Sequence, residues 1–402
     1  MPPLNSKDVA PRVAISIAGL DTATSTLPEF SFEGLPTGGE VVVCKSWTLD
    51  FDLQQLGDPF SVEIDNADGR HTGKVRPFDS CKVYLQDRTV GGYWVPLYDG
   101  IVTNVQNNST RDGDTITISG ADRGWFLVNC HVTPWISLEV STWDLMVSKL
   151  VDPTWGFGPA NIGNDVKHHV SQGRAGAVRY LTQKAVPKLQ PFQTDVGQSP
   201  ADVLLHYGKI AKCLINVYGS TIQIFKPAYS RTVDYKIEAH KSTETNRNDG
   251  NVEQCSLVNS GDGLYTEVRC YSSVVAPPPT NQSDRVHAGE YRGTVFNTGN
   301  IPQGYHRLFA FSDGEQMSRD NCIARATWKL QRGIFDSWTY SATVYGVSQG
   351  GLLYAPDSMI EIDDTINGVT GNYYLTAVRM HCDKMSGTTS QLTIKKAGLL
   401  GG

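Results

Sequence analysis

Glu361 and Asp363 alternate with Ile360 and Ile362, so the two carboxylates share one strand face at a spacing of roughly 7 Å. That separation suits the acid and base of an inverting glycosidase. A solvated strand face, or part of an acidic lumen, is the stronger reading, because nothing else nearby suggests a sugar cleft. His168 and His169 are a possible metal pair. Adjacent strand residues point to opposite faces, so both could reach one ion only from a loop, and the chain offers no second cluster at ligand spacing. Asp65-Asn66-Ala67-Asp68-Gly69 faintly resembles a calcium loop but lacks the alternating ligands and the distal glutamate. A hairpin turn is expected there instead. No G-x-S-x-G elbow occurs, and no phosphate-cradling glycine loop sits between a strand and a helix. These readings assign no catalytic, cofactor-binding or metal-ligating residue, and no cofactor is expected.

The elements that must position these residues are mostly strands. Phe60, Val62 and Ile64 lie on one face of an alternating run, and Cys81 to Leu85 alternates again. Ile101 to Val105 leads into a polar turn, Asn107 to Asp114. Ile116 and Ile118 then mark a second strand, followed by a glycine exit at Gly120-Ala121-Asp122-Arg123 and by Leu127 to Cys130. Residues 1–130 thus read as almost wholly β.

Residues 131–240 change character. Ser141 to Leu150 has helical spacing and is closed by Asp152-Pro153. Ser199-Pro200-Ala201-Asp202 is a strong helix start: serine caps, proline fits the first turn, and an acid follows three residues on. Ile215 to Tyr218 and Thr221 to Phe225 make a hairpin about Gly219-Ser220. This small mixed unit must pack on something.

From residue 241 the chain returns to β, with Leu264 to Tyr271 as a strand. Pro277 to Gly304 reads as a long polar loop, and such loops are usually functional or mobile. Ser312-Asp313-Gly314-Glu315 reads as the cap of a helix over about 313–331, stopped by Gly333. Trp338 to Val344 is the cleanest amphipathic strand.

A chain of 402 residues buries about 75% of its unfolded surface, so a core is easily built, and the length suggests more than one domain. The net charge of −6 argues against a large basic surface gripping nucleic acid. None of the eight cysteines forms a CxxC pair, so a zinc ribbon is not expected. They read as reduced thiols of a protein folded in cytoplasm. The Val13 to Ala18 run is too short for a signal peptide, and no stretch has the apolar length to span a bilayer. Trp47, Trp125, Trp143, Trp328 and Trp338 read as core or interface. Tyr93 and Trp94, beside Gly91-Gly92, lie at an expected hairpin tip that either anchors a partner or packs on its own domain, and they are candidate partner-facing residues.

The order of these patterns resembles the baseplate hub proteins of contractile phage tails, the Mu-like family and its P2-like and T4-like relatives. The first half carries the likeness through Trp47, Phe60 to Ile64 and Tyr98 to Cys130. The second half carries it through Arg325-Ala326-Thr327-Trp328, Leu352-Leu353-Tyr354-Ala355-Pro356, Ile360 to Asp364, Tyr373 to Val378 and Gly387 to Ile394. Two departures stand out: Tyr354 occupies the usual tryptophan position, and the 277–304 segment is long. Tyr354 joins the candidate partner-facing residues.

The resemblance implies a mainly β, α+β protein with two tube-type β-barrel domains, 1–130 and 241–402, flanking the small mixed domain 131–240. It also implies a homotrimer that adapts a six-fold tail tube to a three-fold central spike, touches baseplate wedge proteins and lets DNA pass through its channel without specific binding. The chain would be assembled in the host cytoplasm, would reside in the virion tail, would have no stable membrane insertion and would do no chemistry. A β-rich tail-associated cell-wall or polysaccharide hydrolase is the alternative from another class, and the hub of a non-phage contractile system is a third reading.

Overall fold

A computed structural model describes residues 11–17, 41–69, 71–87, 94–111, 113–133, 143–157, 194–211, 213–218, 221–225, 232–241, 250–275, 290–297, 305–313, 318–383 and 387–398, with positions 89, 227, 299 and 301. The first strands are β1 (Arg12–Ile17), β2 (Val41–Val43), β3 (Ser46–Asp52), β4 (Pro59–Asp65), β5 (Ser80–Gln86), β6 (Trp94–Thr110) and β7 (Gly113–Asp122). The middle of the chain holds helices α1 (Gly124–Asn129), α2 (Trp143–Leu150) and α3 (Pro200–Ala211), then strands β8 (Leu214–Tyr218), β9 (Thr221–Phe225) and β10 (Tyr235–Ala239). Next come β11 (Val252–Asn259), β12 (Glu267–Val275), β13 (Glu290–Phe296), β14 (Leu308–Asp313) and helix α4 (Arg319–Ser337). The last strands are β15 (Trp338–Tyr345), β16 (Ser348–Gln349), β17 (Leu352–Leu353), β18 (Ser358–Asp364), β19 (Val369–Asp383) and β20 (Gly387–Lys395).

The two β-rich ends of the chain are joined. One 13-stranded sheet runs β11-β15-β20-β19-β3-β4-β7-β6-β5-β1-β2, with β18 pairing β19 and β10 pairing β18. The strand pairings among the described residues form no closed barrel, and the two β-rich ends, expected as separate barrels, belong to a single sheet. Alternation places the apolar residues of both halves in one continuous core, from Val13 and Trp47 through Phe60 and Ile118 to Tyr340, Ile362 and Ile394. The expected boundary at residue 240 puts β10 in the middle region. β10 instead pairs in parallel with β18, Tyr235 opposite Ile360 and Ile237 opposite Ile362.

Several local readings hold. Ser199 and Asp202 form the capping box: the Ser199 hydroxyl donates to Asp202 at 2.7 Å, and the Asp202 N–H donates back to Ser199 Oγ at 3.1 Å. α3 then buries Val203, Leu204 and Tyr207 against Trp143 of α2 and the β8–β9 hairpin, forming a separate core. The 65–73 region is a turn stapled by Asn66, whose Oδ1 accepts from the His71 N–H at 2.9 Å. All eight cysteines are free thiols.

Others are corrected. The polar turn expected at Asn107 to Asp114 is mostly strand, because Asn107 and Asn108 stay in register with Ile116 and Thr115. The end of the 1–130 segment coils into α1. The 277–304 loop contains β13, antiparallel to β12; residues 276–289 lie outside the described residues.

The helix expected from Ser312 starts later. Asp313 ends β14, and Ser318 is the cap, its hydroxyl accepting from the Asn321 N–H at 3.1 Å. Gly333 does not stop the helix, which runs on to Ser337. Its lack of a side chain serves packing: a Cβ there would lie 2.1 Å from the Gly263 carbonyl oxygen. Gly333→Ala should therefore destabilise the protein in thermal unfolding, although alanine favours an exposed helix interior by about 1 kcal/mol. A raised melting temperature would contradict this packing account.

Candidate assembly surface

The surface that joins the two halves is built by β3 and β19. Their alternation sorts the side chains cleanly. Leu49 lies opposite Met380 and Phe51 opposite Val378 on the core side. Burial of each such apolar side chain contributes about 1.5–3 kcal/mol. On the other side Asp50 lies opposite Arg379 and Thr48 opposite His381. The Arg379 guanidinium grips both Asp50 oxygens, Nε at 2.6 Å and Nη2 at 2.8 Å, and this hydrogen bonding with the carboxylate raises the Arg379 pKa. The Thr48 hydroxyl meets His381 Nδ1 at 2.9 Å, and His381 Nε2 meets Asp383 at 3.0 Å. Exposed pairs of this kind contribute about 0–1 kcal/mol, so burial on the apolar side holds the seam and the polar pairs help to set its register.

The polar row extends across neighbouring strands. Thr48 lies opposite Ser61, Ser61 opposite Ser119 and Ser119 opposite Asn104. In the other direction His381 lies opposite Thr389, and Thr389 opposite Tyr345. The result is a broad polar face of hydroxyls and amides, crossed by the Asp50–Arg379 and His381–Asp383 pairs and by Glu63.

Next to the seam, a patch of buried acid supports the β3–β4 corner. Asp58 and Asp122 are 4% and 2% exposed. Asp58 Oδ1 accepts from the Asp52 N–H at 3.1 Å, and Asp122 Oδ1 accepts from the Gly124 N–H at 2.8 Å, fastening the entry to α1. Desolvation, reinforced at Asp58 by the Asp122 charge, pushes both carboxyls well above the ordinary range. The neighbouring Tyr98 hydroxyl donates to the Asp50 carbonyl, its ring stacks on Phe51 at 5.0 Å, and desolvation raises its pKa as well. No sequence signal marks this pair, because only the pairing of β4 with β7 brings the two acids together, the Asp122 N–H donating to the Asp58 carbonyl at 3.2 Å.

The acids singled out by spacing sit elsewhere. Glu361 is exposed and Asp363 half-buried on the outer face of β18. They lie opposite Lys236 and Glu238 of β10, where Lys236 Nζ bonds Glu238 at 2.7 Å and His240 approaches Asp363 at 3.9 Å. This is a solvated, mixed-charge strand face. The third acid of the run, Asp364, is fully buried and structural. It accepts from the Tyr340 hydroxyl at 2.7 Å and from the Ile366 and Asn367 N–H groups at 2.8 and 2.9 Å.

Of the candidate partner-facing aromatics, Trp94 packs on its own domain, the second of its two readings, and Tyr354 is a correction. Trp94 is 7% exposed and packs on Ala14 and Tyr84. Tyr354 is 3% exposed and its ring lies 5.0 Å from that of Tyr235. Both aromatic rings serve the chain's own packing, because each has a large apolar surface to bury. Tyr93, His168 and His169 lie outside the described residues. Among the described residues no group of three or more metal-ligating side chains converges, and no helix is long and apolar enough to cross a membrane.

No family model and no curated protein matches the chain. Solved structures do. A tail protein from Neisseria meningitidis MC58 matches with a TM-score of 0.69 at 15% identity, over 98% of both chains. The 43 kDa tail protein of prophage MuSo2 from Shewanella oneidensis matches with a TM-score of 0.66 at 14% identity, over 97% of this chain and 100% of that one. A chain of the Francisella PdpA-VgrG complex matches with a TM-score of 0.55 at 11% identity, covering 97% of this chain and 53% of that one. At these identities the likeness is one of fold: the chain has the fold of phage tail and VgrG-type proteins along nearly its whole length.

The Asp58 and Asp122 carboxyls have folded pKa values raised above the unfolded value near 3.8. Their contribution to stability is therefore fully present below that value and declines as pH rises toward the folded pKa. Asp58→Asn keeps an acceptor for the Asp52 N–H and removes the charge. Relative to the parent it should gain stability as pH rises above about 4, where the parent carboxyl loses its contribution and the amide does not. A pH-independent difference in chemical denaturation would contradict this. On β18, the Glu361→Gln, Asp363→Asn double variant should unfold within about 0.5 kcal/mol of the parent. Ile362→Asp, which buries an unpaired charge, should prevent folding as judged by circular dichroism.

Proposed function

We propose that the chain is a structural hub in the tail baseplate of a contractile phage, a trimer whose ring adapts a six-fold tail tube to a three-fold central spike. The observation that carries this is the arrangement about the seam. β3-β4-β7-β6 leads away on one side and β19-β20-β15-β11 on the other, and each run of four is antiparallel throughout. One chain thus supplies two similar four-strand halves, which serve as its two tube-type domains. Three chains supply six, which is what a three-fold to six-fold adaptor needs. The full-length likeness to phage tail proteins supports the reading.

In this reading the hydroxyl- and amide-rich face lines the channel. It is wetted by water and offers few cations to phosphate, so DNA passes without specific binding. The chain meets the spike on one side of the ring and tube and wedge proteins on the other, resides in the virion tail and performs no catalysis. The fold likeness to a chain of a PdpA-VgrG complex and to an E. coli type VI secretion component favours, as the second reading, the hub of a non-phage contractile system. That hub would be the same device with another cargo.

Sedimentation and electron microscopy of the purified chain with its tube and spike partners test the proposal. A trimer mass and a three-fold ring with a central channel are expected. A chain that remains monomeric at high concentration and forms no ring when those partners are added would refute it.

A further inference from the structure

Helix α4 meets the three-stranded sheet β13-β12-β14 at a pair of cysteines. Cys270 of β12 and Cys322 of α4 are both fully buried, in a small core with Val268, Ala326 and Leu330. The backbone alone sets them side by side. Cys270 lies opposite Gly293 of β13. A Cβ on Gly293 would stand 2.3 Å from the Cys322 carbonyl carbon and 2.2 Å from the Ile323 nitrogen, so the start of α4 rests directly on that glycine. Cys322 therefore sits above the strand partner of Cys270, and facing residues of an antiparallel pair are only about 5 Å apart. A disulfide spans α-carbons within about 7 Å of each other.

The side chains complete the contact. The Cys270 thiol donates to the Cys322 sulfur, and Cys322 Sγ also meets the Tyr291 carbonyl at 3.6 Å. Desolvation raises both thiols, Cys270 to about 12, while the bonds from Cys270 and from the Ser272 backbone favour the Cys322 thiolate. Within the pair Cys322 is thus the nucleophile and Cys270 the thiol held against it. Both are free thiols here.

We propose that Cys270 and Cys322 are a modification site, at which a peroxide oxidises the two thiols to a disulfide that fastens α4 to β12. The Cys322 thiolate attacks one oxygen of hydrogen peroxide; the O–O bond breaks, a sulfenic acid forms, and the departing hydroxide takes up a proton as water. The Cys270 sulfur then attacks the sulfenic sulfur, the S–S bond forms, and the sulfenic oxygen leaves with the Cys270 proton as a second water. Two thiols and one peroxide become one disulfide and two waters. Because the pair is buried, the reaction waits for local opening at the start of α4. The inference goes beyond the hub reading and does not rest on it.

The test treats the dilute full-length chain with hydrogen peroxide at roughly pH 8, where thiolates are accessible. Remaining thiols are then blocked with N-ethylmaleimide under denaturing conditions, and peptides are mapped without reduction. The expected result is one cross-linked peptide pair joining Cys270 to Cys322, lighter by two hydrogens than the two peptides together, with both thiols recovered by dithiothreitol. Cys270→Ala should abolish the cross-link and leave Cys322 as a sulfenic or sulfinic acid, and Cys270→Val is the second variant should the first fail to fold. Mapping of the parent chain decides the matter even without the variants. Persistence of both thiols after half-buried Cys130 has been fully oxidised, or cross-linking of either one to a different cysteine, overturns the proposal.

Discussion

The large sheet and its core depend on the pairing of β3 with β19. Asp52 to Trp47 run antiparallel to Ala377 to Cys382, so strands more than three hundred residues apart in sequence become neighbours in one sheet. Closing such a long loop is entropically costly, although the cost grows only slowly with length. The compensation comes from the core side, where Leu49, Val378 and Met380 are all but inaccessible to water. Once the seam is formed, the polar sides of both halves must also be continuous, because strand alternation leaves no choice. The wet face is thus a consequence of the dry one.

The same logic explains the distribution of charge. Acids that alternate with core isoleucines in β18 are forced outward, and Glu361 and Asp363 meet Lys236 and His240 there. Acids at corners are forced inward. Asp58 and Asp122 cap backbone N–H groups that the sheet would otherwise leave unsatisfied, at the cost of holding two carboxyls in a site that disfavours their charge. Asp364 performs a similar task with more donors around it, from Tyr340, Ile366 and Asn367. Position relative to the sheet, more than residue type, decides whether each carboxylate is solvated or structural.

Much of this could be read from the residues. Period-two alternation located Phe60 to Ile64 and Trp338 to Val344, and the Ser199–Asp202 box located α3, because those signals are local. The outward placement of Glu361 and Asp363 was legible for the same reason. What could not be read depends on distant partners. β10 looks like part of the middle region until β18 arrives beside it. β13 is too polar to stand out and is a strand only because β12 accepts it. Gly333 looks like a stop signal, but the Gly263 carbonyl pressed against the helix explains its presence. Trp94 and Tyr354 are large aromatics near glycine or proline, a context shared by exposed anchors and by core residues, and packing on Tyr84 and Tyr235 decides for the core. The Asp58–Asp122 pair left no trace in sequence, since only the pairing of β4 with β7 brings the two acids together.

The central claim is that the two ends of the chain form one cooperative sheet through the β3–β19 seam. Native-state amide hydrogen exchange on the full-length chain, measured as a function of denaturant, tests it most directly. The structure requires the amides of β3, β4 and β7 and those of β15, β19 and β20 to exchange through a common opening, with the same free energy and the same denaturant dependence. Two separate openings, with one half retaining full protection while the other exchanges, would show that the halves fold independently and would contradict the account.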